Sequence, residues 1–395
     1  MVNATSAAAG IIGVIVLARH GDRTLYYQEP LTYRSQQAYL TSLGANQEYQ
    51  LGSFLRDAYL DSNSSSHIEG INPENADMQQ LRVRAEGGGG NAGVTSAYSL
   101  LQGLYPPTET AAIKLHNGST VEAPLHGYQY IPVETIMQDG NPMLTPWIDC
   151  PYFQSHLNRT FNSSVWKDME REAAPFLNAS KPFIGSMDTN FTNMYNIYDY
   201  MNVQSTHDEG YRKALPPTFL EQARHFANMQ QREVFNAQPI NAIGEVAVRT
   251  LIPEMIWAMG NMTSNESPLK LALTTIDYQP FISFFNVTNA TVKDPDVAGI
   301  PNYASALALE VFEGKDGEPE LSLKFKNGTD DNEFRSLTMW GNDRVSLETF
   351  TTNLAYRTIN NTRDWCFSCN ETFSRGCFAM DFSKDPFLNP AAATY

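Results

Sequence analysis

Ile11 to Ala18 (IIGVIVLA) is an unbroken, β-branched apolar run, the pattern of a central strand buried on both faces. From Gln47 to Tyr59 the period changes: Leu51, Phe54, Leu55, Ala58 and Tyr59 fall on one helical face. Leu81 to Arg84 reads as a second short strand, running into Glu86-Gly87-Gly88-Gly89-Gly90-Asn91. From Thr95, residues Ala97, Leu100, Leu101 and Leu104 again share a helical face, and Pro106 and Pro107 stop that helix. Tyr128 to Ile136 has an extended pattern. Leu271 to Ile276 (LALTTI) repeats the buried-strand pattern. Tyr303 to Glu313, Leu321 to Lys326 and Arg335 to Trp340 read as later strands, and Val345 to Ala355 as a last helix. Strands alternating with helices predict an α/β sheet of parallel or mixed strands.

Between about Asn141 and Gln238 the character shifts. The segment is rich in Asn, Phe, Tyr and Met and has few β-branched runs, and Leu220 to Phe235 is helical in composition. It reads as a mainly helical insertion. Ala242 to Met259 is helical again, with Pro253 placed to kink or break it. The expected division is therefore an α/β core from 1–140 and 239–395, interrupted by a helical unit at 141–238.

Composition narrows the function classes. The chain has 395 residues and a net charge of −16, with no basic stripe for nucleic acid. Its longest apolar run, Ala7 to Ala18, is below the roughly 20 residues needed to span a bilayer and lacks a basic leader. Neither a nucleic-acid nor a membrane partner is expected. Fourteen Asn-X-Ser/Thr sites occur, about three times the chance number, which points to N-linked glycans and a secreted, extracellular protein. Cys150, Cys366, Cys369 and Cys377 make an even set, so two disulfides in one of three pairings are expected. One bond from Cys150 would tie mid-chain to the C-terminal segment. Zinc is the weaker alternative, because no His sits at ligand spacing near the Cys-X-X-Cys pair, and neither a metal nor a cofactor is expected.

The chemistry gathers just past the first strand, where ligands bind in α/β sheets. There Arg19-His20-Gly21-Asp22-Arg23 sets two arginines around a histidine. Guanidinium groups suit phosphate oxygens, and an imidazole can attack phosphorus and carry the phosphoryl group. Gly21 allows backbone to approach a bulky anion. Asp277 lies in the equivalent place after Ile276, although an aspartate there also caps turns and helices.

Leu17-Ala18-Arg19-His20-Gly21-Asp22-Arg23-Thr24 resembles the nucleophile motif of the histidine acid phosphatases. Leu40-Thr41-Ser42-Leu43-Gly44 with Gln47, Leu51-Gly52 and Leu55-Arg56 is similar to the family's first helix. Ser96-Ala97 with Gln102 to Pro107 is similar to its second. Ile131-Pro132-Val133, Cys150-Pro151 and Ser305 to Phe312 also fit, and secreted fungal members are the most alike. The resemblance implies a phosphoglycerate mutase-like core sheet flanked by helices, with an inserted helical cap domain. It implies acid phosphomonoester hydrolysis through phospho-His20, with Arg19 and Arg23 holding phosphate and Asp277 protonating the leaving group.

Two positions depart from that pattern. The family's third phosphate-binding arginine falls on Ala92, and the histidine of its His-Asp pair falls on Ile276. Each lost donor costs roughly 3–4 kcal/mol of transition-state stabilisation in sites of this kind. Arg82, Arg84, His126 or His207 are candidates to compensate, and the glycine run could offer backbone N–H groups to an anion. The alternative is a catalytically degenerate relative that binds an anion or other ligand without phosphatase turnover, or a different reaction on the same scaffold.

Overall fold

The computed structural model describes residues 10–236, 243–314 and 317–380. The strands are β1 (Ile11–Arg19), β2 (Leu81–Glu86), β3 (Ile113–Lys114), β4 (Thr120–Val121), β5 (Glu134–Ile136), β6 (Leu271–Ile276), β7 (Ala306–Glu313), β8 (Pro319–Lys326), β9 (Arg335–Leu337) and β10 (Val345–Ser346). The main sheet runs β10-β8-β7-β1-β6-β2-β5, with β9 on β8, while β3 and β4 form a separate hairpin. β1, β6, β2 and β5 are parallel, and β7 turns antiparallel against β1. The mixed α/β sheet expected from the strand pattern is present.

The helices of the first half are α1 (Ser42–Tyr59), α2 (Ala92–Leu104) and the single turn α3 (Pro124–Gly127). Then come α4 (Pro151–Phe161), α5 (Ser164–Ser180), α6 (Met194–His207), α7 (Glu209–Ala214) and α8 (Phe219–Val234); among the described residues no strand falls between β5 and β6. The later helices are α9 (Val246–Arg249), α10 (Ile252–Met262), α11 (Gln279–Val287), α12 (Ala290–Lys293), α13 (Leu347–Leu354) and α14 (Thr362–Cys369).

β1 is apolar on both sides because it is covered on both. Val14, Val16 and Ala18 pack with Leu51 and Leu55 of α1 and Ala97 and Leu100 of α2. Ile15 and Leu17 pack with Met255 and Met259 of α10 and with Phe281, Phe284 and Phe285 of α11. A third apolar cluster belongs to α4 to α8, with Trp166, Phe176, Phe191 and Phe226, and reaches Trp365 of α14. Burial at about 25 cal/mol per Å² makes these three clusters the main source of stability.

Several boundaries move, each for a local reason. Helix α1 begins at Ser42 rather than Gln47, because the Thr41 side chain accepts from the Gly44 N–H as its N-cap. The extended stretch Tyr128–Ile136 is a strand only from Glu134. The strands expected from Tyr303 and through Trp340 shorten to Ala306–Glu313 and Arg335–Leu337. Val345 and Ser346 pair with β8, so the helix expected from Val345 starts at Leu347, and it is not the last, since α14 follows it. The helix expected over Ala242–Met259 is broken before Pro253, which opens α10; Ala242 itself lies outside the described residues.

The four cysteines close two disulfides, Cys150–Cys369 and Cys366–Cys377. The neighbours on α14 thus bond to different partners, and no thiolate is left for zinc. Cys150 ties the start of α4 to the C-terminal segment, beside the Trp365 indole N–H donated to the Pro146 carbonyl at 2.8 Å.

Candidate active site

Parallel pairing of β1 with β6 places Arg19 in register with Ile276, so the two strand ends deliver His20 and Asp277 side by side. The His20 Nε2 lies 3.3 Å from Asp277 Oδ1. The other ring nitrogen, Nδ1, lies 2.8 Å from the Gly21 carbonyl oxygen. A carbonyl only accepts, so Nδ1 carries a proton and Nε2 is the atom free to change partners. Asp277 Oδ1 also accepts the Tyr278 N–H at 2.7 Å, just ahead of α11. The carboxylate therefore both steadies this turn and faces the imidazole.

All four candidate residues are brought together and nearly buried: Arg19 is 4% exposed, His20 5%, Arg23 1% and Asp277 5%. Burial holds the His20 imidazole below its ordinary value, against the opposing pull of Asp277. Burial would push the Asp277 carboxyl up, but His20, Arg19 and Arg23 together hold it well below the usual carboxylate range. Arg19 donates to the Pro301 carbonyl and lies 4.5 Å from the centre of the Tyr303 ring.

Arg23 is less open than the motif suggests. Its guanidinium forks onto Asp199 of α6, with Nη2 to Oδ1 at 2.8 Å and Nη1 to Oδ2 at 3.1 Å. Nη2 also donates to the Tyr195 hydroxyl at 3.2 Å, and Tyr26 lies beneath the guanidinium at 4.2 Å. Asp199 and Tyr195 stand one turn apart on α6 and are the partners that sequence reasoning missed. The available signal was weak: Asp199 is the one ionised residue in the aromatic stretch Met194 to Val203.

Gly21 corrects an expectation. A Cβ there would lie 2.4 Å from the Gly44 carbonyl oxygen, and one on Gly44 would lie 2.0 Å from that of Asp22. The close approach that Gly21 permits is to the start of α1. Asp22 is a tether: its Oδ2 takes Thr41 Oγ1 at 2.5 Å and His207 Nε2 at 2.7 Å.

Ile276 is fully buried in the cluster around α10 and α11, and Ala92 is buried at the first turn of α2. Arg82 and Arg84 are engaged elsewhere, Arg84 with Glu134 at 2.7 Å and Glu254 at 2.6 Å, and Arg82 with Glu254 at 3.5 Å. His126 sits in α3, beyond the C-terminal end of α2. His207 alone of these reaches the motif, through Asp22. The glycine run packs on the segment before α1, where a Cβ on Gly90 would lie 2.1 Å from the Ala38 carbonyl oxygen.

Glu86 ends β2 beside Asp277, whose backbone N–H donates to its carboxyl. Burial, then the charge on Asp277, push the Glu86 carboxyl up to about 8. Its contribution to stability is full below about pH 4.5 and is lost as pH rises through about 8. Partly exposed, Glu86 should lower stability by roughly 2–4 kcal/mol between those limits. Urea melts of wild type and Glu86→Gln across that range test this: the difference between them should grow steadily with pH, and parallel curves would refute it.

No family model matches the chain. Lysosomal acid phosphatase of Rattus norvegicus is 27% identical over 204 residues, 49% of this chain and 43% of that protein, less than half its length. Prostatic acid phosphatase of Mus musculus is 24% identical over 379 residues, covering 91% of this chain and 89% of that one. Prostatic acid phosphatase of Bos taurus is 22% identical over 331 residues, covering 80% and 77%. The chain is similar to lysosomal and prostatic acid phosphatases, which are histidine acid phosphatases. Solved structures show the same fold: a phytase of Hafnia alvei in complex with tartrate superposes with a TM-score of 0.62 at 11% identity, over 90% of this chain and 98% of that one. A phytase of Citrobacter braakii superposes with a TM-score of 0.58 at 12% identity, covering 89% and 98%. The two disulfides suit an oxidising compartment, and among the described residues no helix is long and apolar enough to cross a membrane.

Proposed function

We propose that this chain hydrolyses phosphomonoesters through a phospho-His20 intermediate, at acid pH and at a reduced rate. The observation that carries the reading is the His20 Nε2–Asp277 Oδ1 contact at 3.3 Å with Nδ1 tied to the Gly21 carbonyl. A single proton shared by that pair serves two purposes. Moved from Nε2 to Oδ1, it exposes the nucleophilic lone pair and arms Asp277 as the acid. Nε2 then bonds to phosphorus, the P–O bond to the leaving group breaks, and that oxygen takes the proton from Asp277. Water next attacks phosphorus, the N–P bond breaks, and a water proton returns to the Asp277–His20 pair. Arg19 and Arg23 would hold the phosphoryl oxygens, and no cofactor enters the scheme. Ala92 and Ile276 remove two donors, which explains the lower rate.

The shared proton fixes a pH dependence. It is lost as pH rises through the lowered pKa of His20, so activity should fall on the alkaline side below pH 6.5. Phosphate release from a panel of monoesters at pH 3 to 7 measures this; a profile flat to pH 7 would count against the shared-proton scheme. Segment 141–238 is proposed as a cap over the core 1–140 and 239–395, since α6 supplies Asp199 to the site.

We also infer that the protein is secreted and N-glycosylated at some of its fourteen sequons. Asn286 Nδ2 donates to Asn236 Oδ1 and Glu245 Oε1, both at 3.0 Å, and Asn327 Oδ1 accepts from Asn302 N and Ser305 Oγ. These two should carry no glycan, whereas exposed Asn63, Asn117, Asn158 and Asn178 are open to modification. Site-resolved glycopeptide mass spectrometry decides this; a glycan on Asn286 would contradict it. Asn3 lies outside the described residues.

The Asp199 fork on Arg23 favours a second reading, ligand binding without turnover. Wild type as inactive as His20→Ala over the whole ester panel, with inorganic phosphate still binding, would select it.

A further inference from the structure

Asp199 puts a carboxylate where the proposed reaction brings an anion. Arg19 and Arg23 carry two positive charges into the buried site, and Asp199 and Asp277 carry two negative ones. These four charges cancel, so the one positive charge left to receive an anion is the proton shared by His20 and Asp277, a match for a monoanion rather than a dianion. The guanidinium fork of Arg23 is committed to Asp199. Among the fully buried nitrogens of the two arginines, Arg19 Nε, 3.9 Å from Asp277 Oδ1, and Arg23 Nε have no hydrogen-bond partner. Buried orphan donors are costly, so these two nitrogens point to an acceptor that is bound in the working protein.

Asp199 itself is not saturated. A carboxylate has about four acceptor positions. Three are used: Oδ2 takes Arg23 Nη1 at 3.1 Å and the Tyr26 N–H at 3.2 Å, and Oδ1 takes Arg23 Nη2 at 2.8 Å. One position, on Oδ1, is open. It can be filled only by a donor, and it repels a group that has none.

We infer that Asp199 is a specificity residue, admitting a phosphoryl group as the monoanion, whose P–O–H donates to Asp199 Oδ1, and rejecting an acceptor-only dianion. The inference deepens the phosphomonoesterase reading, and its test reads binding rather than turnover. In the monoanion two oxygens accept from the orphan Nε groups, while the protonated one donates to Asp199. A dianion presents lone pairs to a carboxylate that cannot leave without stranding Arg23. Like charges at hydrogen-bond distance in a buried site raise the cost further.

The experiment compares inorganic phosphate with sulfate by titration calorimetry at pH 5, in wild type and Asp199→Asn. At that pH phosphate keeps a proton, its second ionisation in esters lying near about 6, whereas sulfate is a dianion with no proton to give. Wild type should bind phosphate at least tenfold more tightly than sulfate. Asp199→Asn, whose amide can donate, should gain sulfate affinity by at least tenfold and lose the preference. Equal wild-type binding of the two anions, or binding of neither, overturns the inference without any variant, so a poorly folding Asp199→Asn does not shield it. A variant that keeps the wild-type preference overturns it as well. The outcomes separate from those of hydrolysis: a protein that prefers phosphate yet releases none from esters upholds the inference and sinks the phosphatase reading. A protein that turns esters over through His20 but binds both anions equally does the reverse.

Discussion

His20→Ala should lower phosphate release by at least about 10⁴-fold, to the level of the uncatalysed background. Removing the nucleophile of a covalent mechanism costs on this scale, because the remaining donors cannot form the intermediate. Rapid acid quench with a labelled monoester should trap a phosphoprotein in wild type and none in the variant. The fold should survive, since Asp277 keeps the Tyr278 N–H and the nearby charge of Arg19 after the imidazole is gone. Melting of the variant within a few degrees of wild type guards against a trivial loss. Residual activity of one tenth or more would move the chemistry away from His20, and with it the role assigned to the shared proton.

The second large effect concerns stability. Opening Cys150–Cys369 by the double change to Ser should cost about 5 kcal/mol, since the bond closes a loop of 219 residues and the chain-entropy term grows with loop length. Opening Cys366–Cys377, separated by 11, should cost about 3 kcal/mol. In a chain of this size the longer bond should therefore lower the melting temperature by about 6 °C, and the shorter one by less. The longer loop also holds α4 and α14 together around Trp365, so its loss should loosen the helical layer that carries Asp199. Differential scanning calorimetry of the two variants gives the order directly. A larger loss from the shorter bond would show that local packing, not loop entropy, governs this corner.

The sequence by itself determined the elements whose signal is local. Ile11 to Ala18 reads as a two-sided strand because eight neighbouring residues are apolar, and burial on both faces is the one environment that tolerates all of them. The Leu51–Leu55–Tyr59 and Ala97–Leu100–Leu104 faces read as helices for the same reason, and both line one apolar cluster. Arg19 to Arg23 was legible because its chemistry is contiguous. Ala92 and Ile276 stood out only against the family resemblance, because neither side chain offers a hydrogen-bond donor.

Only the tertiary structure decided what that motif touches. His20 meets Asp277 across 257 residues because β1 and β6 pair in parallel, and pairing depends on the whole sheet. Asp199 reaches Arg23 across 176 residues from a helix whose sequence carries no periodic mark of a site. Gly21 was read as room for an anion, whereas the room is taken by Gly44, a contact that no spacing encodes. Of three cysteine pairings, two of which split the neighbours Cys366 and Cys369, the fold chose Cys150–Cys369 with Cys366–Cys377. Periodicity records which face of an element is buried. It does not record which distant side chain completes a charge, and in a buried site that partner sets both the pKa and the ligand.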